Sequence, residues 1–382
     1  TFTATAANPI QHVIVIVMEN EAASLITNRK APYQYGLTLN YTSATNFYAP
    51  CHPSAPEYQA IIAAETNQCG TDTYPGKSGG PPSGGGPYGS YKNFTLGDLL
   101  QNSTNNNGHN FTWAQYAENL QSVKTNICTD PSENGATGVP FAERHVPFLS
   151  MADTLYSVGF CENHVRGVET GINNFNSTLK AGDLLNFSII APNLCDDGHD
   201  TCANGGIWQN ATTTSTVSSL SQADRWLKGF LTPILTGTHN SAEQADLNHT
   251  AIFVLYDESG GVGSAFFAGY KVPGASKGDN YGYCSKHEPK SAKYAVCGGI
   301  VFFAGIIPSA YNAGGGSKFT LKDSDYGFVA TIEWLFGLSH LSTTKVKGFS
   351  NPGGFDNLPV SSANPAAFPV MQGLFDLSSN GY

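Results

Sequence analysis

Short apolar runs along the chain predict the strands of a buried sheet. Residues 10–17, IQHVIVIV, are rich in β-branched side chains and do not alternate regularly with polar positions. This pattern is typical of a central parallel strand that is covered on both faces. Similar runs recur over residues 187–191, 251–256 and 299–304, and we interpret them as further strands.

Helical periodicity between these runs indicates how the strands are connected. The periodicity is clearest over residues 223–235 and 326–338. Strands that alternate with helices predict an α/β fold with a doubly wound, mostly parallel central sheet and helices on both faces. A Gly- and Pro-rich stretch over residues 76–89 predicts a surface loop. We therefore expect a single domain, residues 1–382, with long loop insertions.

Composition narrows the class of protein. The chain has 382 residues, of which 40% are hydrophobic, and a chain of this kind buries a sizeable core. Only 13% of the residues are charged and the formal net charge is −10, so no basic surface for nucleic-acid phosphates is expected. No apolar run reaches the length of a membrane span, which predicts the absence of a transmembrane segment.

The eight cysteines favour disulfides in an oxidising compartment over a thiolate metal site, because no CxxC motif occurs. Close spacing suggests three local pairs and leaves a fourth pair by remainder. The four expected pairs are Cys51 with Cys69, Cys195 with Cys202, Cys284 with Cys297, and Cys128 with Cys161.

Eight Asn-X-Ser/Thr triplets support the same compartment, and the chain begins with Thr1 rather than Met, which indicates processing. We expect an extracellular protein, secreted or attached to a cell surface, and leave open a homo-oligomer or surface assembly. N-linked glycans are expected on some of Asn40, Asn93, Asn102, Asn110, Asn176, Asn186, Asn210 and Asn248.

Polar residues follow two of the predicted strands, at the edge where open parallel sheets bind ligands. Glu19 and Asn20 follow the first strand, and Asp257 and Glu258 follow the run over residues 251–256. Two adjacent carboxylates repel each other unless a cation is shared, so we predict a metal site for hard oxygen ligands here. The alternatives are a helix cap for Glu19 and Asn20 and an exposed turn for the acidic pair.

A third edge follows residues 187–191. The loop after this run contains Asp196, Asp197, His199 and Asp200 between two cysteines. Oxygen and imidazole ligands together fit a second metal site or a phosphate contact, whereas a calcium-stabilised or solvated loop fits as well.

Ser54 is the candidate nucleophile. It lies in CHPSAPEYQAI, residues 51–61, where Pro56 favours the start of a helix with an amphipathic continuation through Ala64. The positive end of a helix dipole at Ser54 would hold a phosphoryl oxygen and favour the alkoxide. Serine is also among the commonest N-cap residues, and the local sequence alone favours that role.

Taken together in order, these segments resemble the phosphoesterase family of secreted acid phosphatases and bacterial phospholipases C, relatives of the alkaline phosphatase superfamily. No single segment is specific to this family, but the occurrence of all of them in the same order over most of the chain is specific to it. The segments are HVIVIVMEN (12–20), HPSAPEYQAI (52–61), FTWAQYAENL (111–120), RHVPF (144–148), FSIIAPNLCDDGHD (187–200), ADRWL (223–227), IFVLYDESGG (252–261) and YGFVATIEWLFGL (326–338).

The resemblance implies a secreted phosphate-ester hydrolase that acts on a small phosphorylated substrate. It implies that Ser54 attacks phosphorus to give a phosphoserine and that His199 contacts the phosphoryl group or protonates the leaving oxygen. It also implies a divalent metal ion (Mg, Ca, Mn or Zn) on Glu19, Asn20, Asp257 and Glu258, and substrate contacts from His52, Arg144 and His145.

The chain departs from the family pattern at a few positions. Asp325 stands where family members commonly carry a histidine, which puts full activity in question. Glu57 and Gln59 replace residues more usual after the nucleophile, and we interpret both as a minor packing difference. A phospholipase C-type phosphodiesterase and a non-catalytic glycosylated surface protein that inherited the fold therefore stay as alternatives.

Overall fold

The computed structural model of the chain describes its sheets, most of its helices and the loops that connect the central strands. The described residues are 9–49, 53–64, 95–105, 108–120, 127–128, 140–150, 158–169, 171, 173–200, 202, 219–259, 298–312, 314–320, 323–338, 341 and 371–375. The predicted surface loop over residues 76–89 lies outside them.

Eight strands form one mostly parallel sheet, and three more form a small second sheet. Along the main sheet the order is β10-β2-β9-β7-β1-β6-β4-β5, and the small sheet has the order β11-β3-β8. The strands are β1 (His12–Met18), β2 (Thr42–Ala44), β3 (Phe47–Ala49), β4 (Trp113–Ala117), β5 (Val165–Gly167), β6 (Phe187–Ala191), β7 (Thr250–Tyr256), β8 (Gly299–Ile300), β9 (Phe303–Ile306), β10 (Lys318–Phe319) and β11 (Asp323–Ser324).

The helices in the described ranges alternate with these strands, which confirms the predicted α/β class. They are α1 (Pro32–Asn40), α2 (Ser54–Ala63), α3 (Leu96–Gln101), α4 (Val158–His164), α5 (Phe175–Ala181), α6 (Ser219–Thr236), α7 (Ser241–Leu247) and α8 (Asp325–Phe336). Short 3₁₀ helices occur at Ala23–Leu25, Glu143–His145, Pro147–Ser150 and Gln372–Leu374.

The first predicted strand is the centre of the sheet. β1 pairs in parallel with β6 on one side and with β7 on the other. Residues from Val13 to Met18 are all buried, and because successive side chains point to opposite faces, both faces of the sheet are covered at β1. The run of β-branched residues without alternation therefore indicated its position correctly.

The apolar run over residues 299–304 was wrongly predicted to be one strand. It divides into β8, which pairs with β3 in the small sheet, and β9, which runs antiparallel to β7 and β2 in the main sheet. The cause is visible in the hydrogen bonds of the two residues that lie between β8 and β9 in the chain. The amide of Val301 donates to Phe47, and the carbonyl of Phe302 accepts from Tyr256, so the chain crosses between sheets there.

Two of the four expected disulfides lie in the described residues, and both form. The Cα atoms are 5.7 Å apart in Cys128–Cys161 and 5.4 Å apart in Cys195–Cys202. The second bridge closes the loop that holds Asp196 to Asp200. The expected pairs Cys51–Cys69 and Cys284–Cys297 lie outside the described residues.

Most of the described glycosylation sequons are on the surface. Asn40, Asn102, Asn110, Asn176 and Asn248 are exposed. Asn186 is half-buried, and its side chain accepts from the amide of Thr112 and donates to the carbonyl of Gln11. The Asn186 amide therefore serves a structural contact between strand ends.

Within the described part of the chain, no helix is long and apolar enough to cross a lipid bilayer.

Candidate active site

The three central strands place polar side chains at one edge of the sheet. Because β1, β6 and β7 are parallel, the residues that follow them meet at their carboxyl ends. The backbone amide of Glu19 donates to the carbonyl of Asp197 at 2.8 Å, and the amide of Asp257 donates to Met18 at 3.0 Å. Backbone hydrogen bonds thus hold the three strand ends together beyond the regular strands.

Glu19, His145 and Asp197 form a buried group at this edge. His145 Nε2 lies 3.0 Å from Glu19 Oε2, and His145 Nδ1 lies 3.8 Å from Asp197 Oδ2. One potential ligand atom of each side chain lies within 4.8 Å of the other two. Two carboxylates and an imidazole at this spacing have the geometry to hold a divalent metal ion.

The electrostatics of this group are those of a site with surplus acid. Burial opposes ionisation of Glu19, yet the charge and hydrogen bond of His145, with the charge of Arg144, hold the pKa of Glu19 well below its usual range. Burial and the charge of Glu19 raise the pKa of Asp197 well above its usual range. One histidine therefore neutralises only one of the two acids, and a cation would stabilise the second.

Asp257 and Glu258 lie next to this group and are buried rather than on an exposed turn. Asp257 Oδ1 accepts the amides of Asn20 at 3.0 Å and Glu258 at 2.6 Å. Burial, then the charges of Glu19 and Glu258, raise the pKa of Asp257 well above its usual range. Among the described residues no hydrogen-bond donor reaches Asp257 Oδ2, which leaves that oxygen for a ligand.

Asn20 links the two acidic strand ends. Its φ of 59° places it in the left-handed region, which asparagine tolerates better than most residues. Its amide nitrogen lies 3.4 Å from Glu19 Oε1, while its backbone donates to Asp257. The helix-cap alternative does not hold, because the following 3₁₀ helix has Ala22 as its N-cap and no side-chain cap bond.

Ser54 faces the same group from α2. It is the first residue of the helix, is 2% exposed, and donates its hydroxyl hydrogen to Glu19 Oε1. The N-cap is Pro53, with no side-chain cap bond, so capping is not the role of the Ser54 hydroxyl. The hydroxyl instead lies at the positive end of the helix, against a carboxylate.

α2 itself was wrongly predicted to be amphipathic. All ten residues from Ser54 to Ala63 are buried, and Ala64 ends the helix with a φ of 52°. The helix packs against α8 and the 3₁₀ helices at Glu143–His145 and Pro147–Ser150, so it has no solvent face. Its polar residues are therefore held in contacts inside the protein.

His145 and His199 have different environments. His145 is buried, stacked on Tyr58 with ring centroids 4.8 Å apart, and fixed between Glu19 and Asp197. The side chain of His199 is 43% exposed and lies 3.1 Å from Asp200 Oδ1. The hydrogen bond that His199 donates to Asp200, with the charge of Glu19, raises the pKa of His199 to about 9 against the effect of burial. His199 is therefore protonated at neutral pH.

Of the other residues named in the sequence analysis, some lie near the acidic group and some make hydrogen bonds that hold the surrounding structure. Half-buried Arg144 lies near enough for its charge to act on Glu19 and His199. Asp196 accepts hydrogen bonds from Asn193 and Gln222 and is a support rather than part of the metal-binding group. His52 lies outside the described residues.

Two buried acids were not assigned to any site by the sequence. Glu57 in α2 and Asp325 at the start of α8 are both fully buried, and their carboxylate oxygens receive no hydrogen bond from the described residues. Burial, then the charges of Asp325, Glu258 and Asp257, raise the pKa of Glu57 well above its usual range. No local pattern indicates the proximity of Glu57 to Asp325, because the two residues are brought together only by the packing of α2 against α8.

A buried acid beside this pair predicts a loss of stability between acidic and mildly alkaline pH. Asp323 Oδ1 accepts the Ser324 amide at 2.8 Å, and burial raises the pKa of Asp323 from 3.8 to about 8. A raised folded-state pKa gives stability that is fully present below the unfolded value of 3.8 and is lost by the time the pH has risen through about 8. We expect Asp323→Asn to gain stability relative to the wild type as the pH rises from 3.8 to about 8 and to keep that gain at higher pH, as measured by chemical unfolding.

The control for this measurement is Asp183→Asn, which replaces an exposed acid. An equal change in both variants between pH 3.8 and about 8 would contradict the assignment to Asp323.

Comparisons with known proteins identify a family for the chain. Residues 22–287 match the model described as Phosphoesterase family. The chain is 24% identical over 279 residues to a phosphatidylinositol-3-phosphatase of Mycobacterium tuberculosis, which covers 71% of this chain and 73% of the relative. The matched family region contains Ser54, Asp197 and Asp257, and it begins shortly after Glu19.

The fold is similar to that of solved structures at low sequence identity. One is a protein in the alkaline phosphatase superfamily from Vibrio parahaemolyticus, with a TM-score of 0.49, 12% identity, and coverage of 89% of this chain and 69% of that chain. Another is the lipoteichoic acid synthase LtaP from Listeria monocytogenes, with a TM-score of 0.46, 12% identity, and coverage of 88% and 76%.

Proposed function

The chain belongs to the Phosphoesterase family, and we propose that it is a secreted, metal-dependent phosphomonoesterase with Ser54 as its nucleophile. The coarser activity, hydrolysis of phosphate esters, follows from the family and from the phosphatase relative. The observation that carries the proposal is the Ser54 hydroxyl, which donates to Glu19 at the start of a buried helix, beside His145 and Asp197.

The residues present fit a divalent metal ion. Glu19, Asp197, Asp257 and Glu258 are buried acids within one small region, and Asp197 Oδ2 and Asp257 Oδ2 receive no hydrogen bond from the described residues. Glu19, Asn20, Asp257 and Glu258 are the proposed ligands, with His145 and Asp197 as further candidates. Oxygen ligands favour Mg, Ca or Mn, whereas imidazole keeps Zn in the set. A bound ion would polarise the phosphoryl oxygen and acidify the Ser54 hydroxyl.

The proposed reaction uses the side chains of the chain in two steps. Ser54 Oγ attacks phosphorus as the bond to the leaving oxygen breaks, and the serine proton, which is held in the hydrogen bond to Glu19, passes to solvent. His199, which is protonated at neutral pH, donates its proton to that oxygen. Water then attacks the phosphoserine and the bond from phosphorus to Ser54 Oγ breaks, so that inorganic phosphate is released. One proton of the water passes to Ser54 Oγ, and solvent returns a proton to His199.

Substrate orientation is assigned to the positive charges at this edge. The positive end of α2 and the Arg144 guanidinium would hold the phosphoryl oxygens, since an arginine fork matches their geometry. His145 is less available for the predicted substrate contact, because it is buried between Glu19 and Asp197. The phosphatase relative supports a monoester over a diester.

The first experiment measures hydrolysis of p-nitrophenyl phosphate and bis-p-nitrophenyl phosphate in acidic, neutral and alkaline buffers. We expect phosphate release from the monoester that a chelator abolishes and that one of Mg, Ca, Mn or Zn restores. Preference for the diester would favour the phospholipase C-type alternative. If neither substrate is hydrolysed with any metal, the result would favour the alternative of a non-catalytic surface protein.

Disulfides and glycosylation sequons, the features from which the sequence predicts secretion, also support it in the structure. Both disulfides in the described residues form, and five sequon asparagines are exposed. Structural disulfides persist in oxidising compartments. The proposed protein is therefore an extracellular enzyme with N-linked glycans on some of those asparagines.

A further inference from the structure

A single buried asparagine organises the loop that carries Asp197 and His199. Asn193 follows β6 by two residues and is 5% exposed. Its side-chain oxygen accepts the amides of Cys195 at 2.8 Å and Asp196 at 3.2 Å. Its backbone carbonyl accepts the amides of Asp196 and Asp197, each at 2.9 Å. The turn from β6 to Asp197 is therefore built on hydrogen bonds to this one residue.

The side-chain amide of Asn193 also ties the loop to the end of the neighbouring strand. Nδ2 donates to Asn119 Oδ1 at 2.7 Å and to Asp196 Oδ2 at 2.9 Å, and the backbone amide donates to Glu118 Oε2 at 3.0 Å. Glu118 and Asn119 directly follow β4, which pairs with β6. Because the oxygen accepts two bonds and the nitrogen donates two, only one orientation of the Asn193 amide fits this position.

Helix α6 supports the same contacts from the other side. Trp226 Nε1 donates to Glu118 Oε1 at 3.1 Å, and Gln222 Nε2 donates to Asp196 Oδ1 at 3.1 Å. Two of the three side chains that Asn193 binds, Glu118 and Asp196, are therefore held in place themselves. A connected polar network of this kind gives the loop one defined conformation.

The conformation of this loop determines where Asp197 and His199 lie. The Asp197 carbonyl accepts the Glu19 amide at 2.8 Å, and Asp197 Oδ1 accepts the His199 amide at 2.9 Å. Gly198 between them has a φ of 115°, and a Cβ there would lie 3.0 Å from the Glu19 carbonyl oxygen. Because the backbone approaches the end of β1 this closely, a shift of the loop would move both side chains relative to Glu19.

We propose that Asn193 is a positioning residue, whose side chain fixes the loop so that Asp197 and His199 are held in place for the proposed reaction. The Cys195–Cys202 disulfide also closes the loop, but it joins only the flanks of the segment. Hydrogen bonds to Asn193 set the conformation between them. The positioning role rests on the proposed function, whereas the hydrogen-bonded arrangement of the loop does not.

The test removes the donor of Asn193 and then returns a donor from its partner. Asn193→Asp keeps the size of the side chain and one oxygen, but sets a second oxygen against those of Asn119 and Asp196. The reciprocal variant combines Asn193→Asp with Asp196→Asn, which restores a donor to the contact and leaves the net charge unchanged. Asp196→Asn alone completes the double-mutant cycle. Asn193→Leu removes all of the side-chain bonds.

The control variant is Asn240→Leu. Asn240 Oδ1 accepts the amides of Ala242 and Glu243 at 3.0 Å each, and Nδ2 donates to the Lys180 carbonyl at 2.8 Å. Asn240 thus makes the same kinds of bonds as Asn193, but it is exposed and caps α7, before the amino end of β7. We expect Asn240→Leu to lose thermal stability and to keep wild-type kcat and KM.

Hydrogen exchange over residues 192–200, with the disulfide intact, is the arm that does not depend on catalysis. We expect faster exchange of this segment in Asn193→Leu and Asn193→Asp, and near wild-type exchange in the reciprocal variant and in Asn240→Leu. Wild-type exchange in Asn193→Asp would overturn the role of Asn193 in the loop, and this variant decides the question if Asn193→Leu does not fold.

Kinetics with p-nitrophenyl phosphate test the positioning role. We expect Asn193→Asp and Asn193→Leu to lower kcat ~10- to 100-fold with little change in KM, because the groups assigned to hold the phosphoryl oxygens lie outside the loop. The reciprocal variant is expected to recover most of kcat. Wild-type kcat despite faster exchange, or no recovery in the reciprocal variant, would overturn the positioning role. A wild type without activity toward any phosphate ester would instead contradict the proposed function, while hydrogen exchange would still decide whether Asn193 holds the loop.

Discussion

Replacing Ser54 by alanine is expected to lower kcat for phosphate-ester hydrolysis by about 10³-fold or more and to leave the fold intact. The variant removes the oxygen that attacks phosphorus but keeps every residue of the acidic group. Because Ser54 is not the N-cap of α2, the loss of its hydroxyl leaves the start of the helix with the same cap. The measurement is initial rate against substrate concentration, together with thermal unfolding of both proteins.

The matched control for this prediction is Ser188→Ala. Ser188 is another fully buried serine, the second residue of β6 and so away from its carboxyl end. We expect that variant to retain wild-type kcat. If Ser54→Ala kept more than about a tenth of the activity, the nucleophile would have to be another group or a water molecule.

Glu19→Gln is expected to remove both the metal ion and the activity. Glu19 accepts the Ser54 hydroxyl and lies 3.0 Å from His145 Nε2, and its carboxylate is ionised because of His145. A neutral amide keeps the shape of the side chain but loses the negative charge that a metal ion requires, so we expect kcat to fall ~10²-fold or more. Metal content after dialysis, measured by mass spectrometry, is expected to fall well below that of the wild type.

This prediction also has a control in the chain. Glu243 pairs with His239 at 2.9 Å in a second buried Glu–His contact. It lies on α7, just before the amino end of β7 and far along the strand from the site. We expect Glu243→Gln to keep full metal content and activity. Retention of metal and turnover by Glu19→Gln would exclude Glu19 as a ligand and leave the group around Asp257 as the alternative.

The architecture was largely predictable from the sequence because its central strands are buried on both faces. β6 has the predicted bounds of residues 187–191, and β1 and β7 differ from their predicted bounds by one or two residues. The prediction of a single strand over residues 299–304 was wrong because hydrophobicity indicates burial but does not indicate which sheet a strand joins. That choice depends on pairing with β3 and β7, which are distant in sequence.

The candidate site was predictable only where its residues follow strands. Glu19, Asp257 and Glu258 were found because the carboxyl ends of parallel strands meet at one edge. Asp197 was predicted only as one of several polar residues in a loop, and the closeness of His145 to it depends on a 3₁₀ helix that carries no periodic signal. The proximity of Glu57 to Asp325 likewise requires the packing of two helices.

Trapping of the covalent intermediate tests the central claim most directly. The metal-loaded enzyme is mixed with p-nitrophenyl phosphate, quenched in acid within the first turnover, digested and examined by mass spectrometry. We predict one added phosphoryl group on the peptide that contains Ser54, absent from Ser54→Ala and from enzyme treated with chelator. Rapid release of phosphate at first turnover without any phosphorylated Ser54 peptide would contradict the serine mechanism.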